Sequence, residues 1–258
     1  LKPELQRAVR LAIGYRRLAI KLSSCSTSNP WPATNWPRNL KRGANPPIAD
    51  SPFISNTEAI KACFGDKMQS GLYSLTYATG LDRAEKRYCY AEIKLFGNDK
   101  VTPYVLSLDA GFTSNSFALV LSHWDNENIV HDLLIEIAPL EETYINFAKL
   151  FEHIITPLFK SFNIQLVVAD RWNSIKVLHD VEQTFNIEVK QHSPSWSNFE
   201  LYRTRIHENR VQLPKPEKPL DVLFKSSEAY EDVVRNKPVL HAALQMMTVK
   251  EIGKRVEK

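Results

Sequence analysis

The sequence predicts an α/β fold: a mixed five-stranded sheet with helices on both faces. Two observations carry this. Between residues 102 and 139, three strand-like runs follow one another at hairpin spacing. Between residues 141 and 193, helical patterns alternate with short runs of strand character, as in units where a helix joins parallel strands. A third feature stands apart. The first 60 residues read as a basic helix followed by a proline-rich segment.

The leader opens with LKPELQRAVRLAIGYRRLAIKL, where Leu5, Val9, Ala12 and Ile13 fall at helical intervals beside a basic face. The following stretch, to Phe53, carries Pro30, Pro32, Pro37, Pro46, Pro47 and Pro52. Proline lacks the backbone donor that helices and central strands need, so residues 23–56 are expected to wrap or link. Residues 1–45 hold nine Lys or Arg against one acid, Glu4, a local charge of +8. The whole chain carries +4, so the remainder carries −4. A basic arm on a mildly acidic body suggests a polyanionic partner, with a solvated leader as the plainer reading. The expected division is a leader over 1–60 and a folded domain over 61–258, its core at 102–195.

After a short helix at TEAIKACFG, GLYSLTYATG and RYCYAEIKLF have strand character. PYVLSLDAG forms a strand ending at Asp109 and Gly111, NSFALVLSHWD a second and NIVHDLLIEIAP a third. The gaps at 112–114 and 126–127 are short enough for antiparallel hairpins. EETYINFAKLFEHIITPLFKSF is an amphipathic helix with Glu141 and Glu142 in its first turn and Pro157 as a kink point. IQLVVAD is apolar throughout its later half, as befits a strand covered on both faces. NSIKVLHDVEQTFN is a second helix, capped by Asn173 or Ser174, and IEVKQHS is the fifth strand. The order is β-β-β-α-β-α-β. Right-handed crossovers place strand four beside strand one and strand five beyond it, which is the ribonuclease H-like architecture.

That arrangement brings Asp109 and Asp170 to the same edge of the sheet, on strands about 4.8 Å apart. Two carboxylates so close repel unless a cation lies between them. Hard oxygen donors suit Mg²⁺ or Mn²⁺, and two such ions about 4 Å apart clamp the attacking and departing oxygens of a phosphodiester. Taken singly, each Asp is also the residue type that caps a helix or makes a turn.

LDAGFTSNSFALVLSHWD resembles the first catalytic strand and hairpin of the nuclease domain in the large terminase subunit of tailed bacteriophages, and VVADRWNS resembles that family's second acidic motif. Gln191 stands where the family often has a Gln after strand five, and NKPVL at 236–240 is similar to a downstream segment. STSNPWP and RGANPPIADSPFI resemble the stretch that joins the motor ATPase to the nuclease. The resemblance implies a metal-dependent endonuclease that cuts double-stranded DNA during viral genome packaging. It implies the ATPase half, the portal and the small terminase subunit as partners, and the host cytoplasm as location. No GxxxxGK[ST] phosphate loop occurs, so the ATP motor is not in this stretch. The family's third acid follows a C-terminal helix, and PVLHAALQMMTVKEIGKRV is expected to be that helix, close to Lys258. Glu251, Glu257 and Glu136 are substitutes, or the third acid lies beyond Lys258.

Supporting roles fall to Asn115 and Ser116 beside Asp109, and to Arg171 and Asn173 beside Asp170, for water, phosphate or capping. Trp172 reads as packing, while His192 and His207 are candidates for proton transfer. DNA phosphates are expected at Arg203, Arg205 and Arg210, with Lys190, Lys215 and Lys218, because cutting with little sequence preference relies on backbone contacts. Three cysteines without a CxxC pair argue against a disulfide framework or zinc site, and no apolar run is long enough to cross a bilayer. Two other readings stay open: a different ribonuclease H-like nuclease, such as a resolvase or transposase, and an inactive module that grips DNA or a portal ring.

Overall fold

The structure, a computed structural model, describes residues 52–64, 73–110, 116–139, 143–170, 174–192, 195–225, 233–234, 236–248, 250–252 and 255–257. The basic leader up to residue 51 lies outside the described residues. So do Asn115, Arg171, Trp172 and Asn173.

A small sheet joins the hairpin β1 (Tyr73–Leu81) and β2 (Arg87–Leu95) to the short β6 (Tyr144–Ile145). The centre of the main sheet is β3 (Asp99–Asp109), β4 (Phe117–Asp125) and β5 (Asn128–Ile137), paired antiparallel in turn. The β4–β5 turn is tight because Asn126 takes a left-handed backbone (φ 53°), which asparagine tolerates better than most residues. On the other side of β3 lie β7 (Phe162–Ala169) and β8 (Glu188–Gln191), both parallel to it. The predicted five-strand order is present. A sixth strand, β9 (Val211–Gln212), was not predicted: two residues are too few to display alternation. The main sheet therefore runs β8-β7-β3-β4-β5-β9.

The two faces of the main sheet bury two separate apolar clusters. One face packs Leu106, Leu108, Leu119 and Ile135 against a long crossover helix and against α4 (Ile175–Phe185). That crossover comprises α2 (Phe147–Leu150), a π-helical turn (Phe151–Ile155) and α3 (Thr156–Ser161). The widened turn has a chemical cause. Pro157 has no N–H to give the preceding turn and its ring crowds that turn's carbonyl, so the ladder slips and Thr156 donates to Phe151 five residues back. The expected kink is therefore a π turn, after which the helix resumes. The opposite face packs Val120, Ile129 and Leu134 against α1 (Thr57–Cys63), α5 (Trp196–His207) and α7 (Pro238–Thr248). Between these last two helices lies the short α6 (Val222–Lys225). Phe53 and Ile54, at the end of the proline-rich stretch, are buried in this second cluster.

A bulge in β5 decides which face its residues meet. The pairing jumps from Leu121↔Leu133 to Ser122↔His131, leaving Asp132 as the extra residue. Leu133, Ile135 and Ile137 therefore join the first cluster, whereas Ile129 belongs to the second. His131 follows Ile129 to that second face, where Ser122 Oγ lies 2.7 Å from its Nδ1 and the Tyr202 hydroxyl 3.3 Å from its Nε2.

Candidate metal site at the carboxyl edge of the sheet

Five strands meet in one row, and their register fixes who stands beside whom. Leu108 of β3 pairs with Ala169 of β7, and the next residue on each strand is an acid, Asp109 and Asp170. Ala169 in turn pairs with Gln191 of β8, and the N–H of His192 donates to the Ala169 carbonyl over 2.9 Å. On the other side Asp109 pairs with Ala118 of β4, and Ala118 with Glu136 of β5. The row reads His192, Asp170, Asp109, Ala118, Glu136. Leu108 and Ala169 belong to the first core cluster, so alternation sends Asp109 and Asp170 to the opposite face, the one covered by α5 and α7. Both aspartates are half-buried. The backbone register leaves each acid one position beyond the paired Leu108 and Ala169.

The far end of the row is built up by the C-terminal helix. Glu136 Oε2 lies 2.6 Å from His241 Nδ1, and the other imidazole nitrogen meets the amide of Gln245 one turn on. These side chains line a small cleft together with Ala118, Val120, Leu134, Pro238 and Ala242. The helix is fixed at its start. Glu217 accepts hydrogen bonds from the N–H groups of Val239 and Leu240, at 3.0 and 2.9 Å, which satisfies two donors of its first turn. Glu136 is fixed from behind as well. β9 covers β5 only at Ile129 and Val130, and further along the Tyr73 and Tyr77 hydroxyls donate to the Leu134 and Glu136 carbonyls, at 2.9 and 3.1 Å. Burial raises both tyrosines above the ordinary phenol range, so they remain donors. The His241–Glu136 pairing went unforeseen. The residues are 105 positions apart, and only the late helix brings them together.

Arg203 and Arg205 on α5, Lys190 on β8 and Arg210 just before β9 have partners within the fold. Arg203 stacks 4.8 Å over the Phe53 ring and reaches the Phe53 carbonyl. Arg205 pairs with Glu208, Arg210 with Glu127 at 2.7 Å and with Glu208, and Lys190 with Glu188 at 2.8 Å. Lys215 and Lys218 are exposed, as is His207 at the end of α5. Glu251 and Glu257 lie on the two strands of a terminal hairpin, β10 (Lys250–Ile252) and β11 (Arg255–Glu257). Among the described residues, no three His, Cys, Asp or Glu side chains stand close enough to hold one ion together. Two carboxylates on adjacent strand ends would offer hard oxygen donors of the kind that Mg²⁺ or Mn²⁺ takes.

Comparison with protein-family models finds none that matches the chain, and comparison with curated proteins finds no match either. Among solved structures, the large terminase nuclease from thermophilic phage G20c is 11% identical with a TM-score of 0.43, covering 76% of this chain and 97% of that one. A second structure of that nuclease, with bound magnesium, is 13% identical with the same TM-score and coverage. The large terminase from another thermophilic bacteriophage is 13% identical with a TM-score of 0.37 over 45% of this chain, which spans 29% of its length.

Proposed function

We propose that this chain is a divalent-metal-dependent endonuclease that cuts double-stranded DNA, as the nuclease part of a viral packaging machine. One observation carries the reading: Asp109 and Asp170 end neighbouring parallel strands on one edge of a ribonuclease H-like sheet. The resemblance of LDAGFTSNSFALVLSHWD and VVADRWNS to the two acidic motifs of large terminase subunits supports the same conclusion. Asp109 and Asp170 would hold Mg²⁺ or Mn²⁺, two ions in all, and an ion there supplies positive charge to a phosphodiester oxygen and lowers the pKa of water. The chain's own residues orient the DNA. Arg210, Lys190, Lys215 and Lys218 offer backbone contacts, and Arg171 a bidentate phosphate contact. Partners of the packaging role would be the ATPase half, the portal and the small subunit, in the host cytoplasm. No helix among the described residues is long and apolar enough to cross a membrane.

A second reading is favoured by one fact, the lack of a three-ligand cluster among the described residues: a module that binds DNA or a portal ring without cutting. Nicking of supercoiled plasmid with Mn²⁺ decides between them. The nuclease reading expects nicking by the wild type and its loss in Asp109→Asn and in Asp170→Asn. DNA binding that ignores metal, with no nicking by the wild type, would establish the module.

A further inference from the structure

We propose that the outer edge of β1 docks a second copy of this chain, the two β1 strands pairing antiparallel about a two-fold axis at Tyr77. The contact is independent of the nuclease reading. Three observations lead there. First, β1 is an edge without the usual protection. Among the described residues it pairs with β2 alone, so about half of its nine residues aim their N–H and C=O groups away from the sheet. Folded proteins blunt such edges by shortness, charge, proline or a bulge. The other edge strands comply. β6 and β9 have two residues each, β10 and β11 three each, and β8 has four, with Glu188 and Lys190 among them. YSLTYATGL has no charge and no proline, its nine pairs with β2 run without a register shift, and none of its residues is buried.

Second, the edge is held ready. The Tyr73 and Tyr77 hydroxyls tie β1 to the Leu134 and Glu136 carbonyls of β5, so a docking strand meets a template whose ordering cost is already met. Third, the strand is complementary to itself. Pairing about Tyr77, its middle residue, gives all nine residues a partner. On the outer face Ser74 stands opposite Gly80 of the other copy and Thr76 opposite Ala78, small against small, and no like charges meet. On the inner face Leu81, 63% exposed, comes to lie beside Tyr73 of the other copy. An unrelated strand is selected by pockets for its alternate side chains. The outer face of β1 has only small side chains to shape one, and the Tyr88 ring occupies the space a Cβ at Gly80 would take. The occupant that fits is therefore β1 itself.

The test is sedimentation velocity of the full chain over a dilution series, run beside a thermal melt and amide hydrogen exchange. Wild type is expected to form a reversible dimer that dissociates on dilution, since one pair of strands is a small contact. Exchange at alternate β1 amides is expected to slow as the dimer forms. A chain carrying Thr76→Lys and Ala78→Lys sets introduced lysines opposite each other twice across the axis. Within its own sheet the first of them faces Glu92, so the melt is expected near that of wild type. Its dimer is expected to dissociate at least about tenfold more readily. Mixing it with a chain carrying Thr76→Glu and Ala78→Glu is expected to restore association, as a heterodimer. If the double-lysine chain does not fold, Thr76→Lys alone carries the same expectation at smaller size. A wild type that stays monomeric at every concentration would overturn the proposal and leave the edge to a strand of another protein. A dimer indifferent to the lysines, with β1 exchange unchanged, would also overturn it, because the contact would then lie elsewhere.

Discussion

β4 and β5 carry two histidine networks on the same covered face, and they have opposite character. At one end of the strands, His131 is sealed. It has no exposure, and Ser122 and Tyr202, which are buried with it, occupy its two nitrogens. At the other end, His241 reaches Glu136 at the border of a cleft, in the row that contains Asp109. Both are fully engaged imidazoles, so hydrogen-bond count does not separate them. Access does. Burial drives the pKa of His131 down to about 3, with the nearby His123 adding to the effect, so it stays neutral and acts as a core group. Glu136 and His241 keep solvent on one side and a carboxylate edge on the other. His131 is closed over by α5, whereas Glu136 and His241 line a cleft.

The largest expected effect lies at the edge. Asp109→Asn and Asp170→Asn each remove one anionic ligand worth several kcal/mol of charge stabilisation, so Mn²⁺-dependent nicking should fall on the order of a thousandfold. Stability in the absence of metal should change little or rise, since like charges are relieved. The sealed network should respond the other way round. His131→Ala leaves a cavity and strands Ser122 and Tyr202, a destabilisation of about 2–4 kcal/mol by urea denaturation, with Mn²⁺ affinity unchanged. A His131 variant that lost metal binding while keeping its melt would erase the distinction between the two networks.

pH sharpens it further. The unfolded His131 titrates near 6.5 and the folded one near 3, so its contribution to stability is complete above pH 6.5 and is lost as pH falls through that window. The urea midpoint of wild type should therefore drop between pH 6.5 and 4, and His131→Gln should flatten that slope. An equal slope in the variant would place the acid sensitivity elsewhere. The smallest effect belongs to Arg210, whose exposed pairs with Glu127 and Glu208 contribute at most about 1 kcal/mol. If it contacts a phosphate, Arg210→Ala should weaken DNA binding alike for all sequences and reduce the salt slope by about 1.

Much of this was legible in the sequence. The five-strand order followed from hairpin-length gaps and helical crossovers, and Asp109 and Asp170 stood out because each ends a run whose neighbours are buried. The rest failed for definite reasons. The bulge at Asp132 reverses the facing of β5 midway, so simple alternation along NIVHDLLIEI misplaces half of the strand. β9 is too short for a period, and the π turn arises from a proline acting on the turn before it. Glu136 was visible only as an acid on a strand. Its partner arrives on α7, and nothing local in either segment announces the other.

The most direct measurement is anomalous diffraction from crystals of the full chain soaked in Mn²⁺. The account predicts a peak at the carboxyl ends of β3 and β7, within coordinating distance of both Asp109 and Asp170. Those carboxylates standing apart, with no peak between them while Mn²⁺ binds elsewhere, would contradict it.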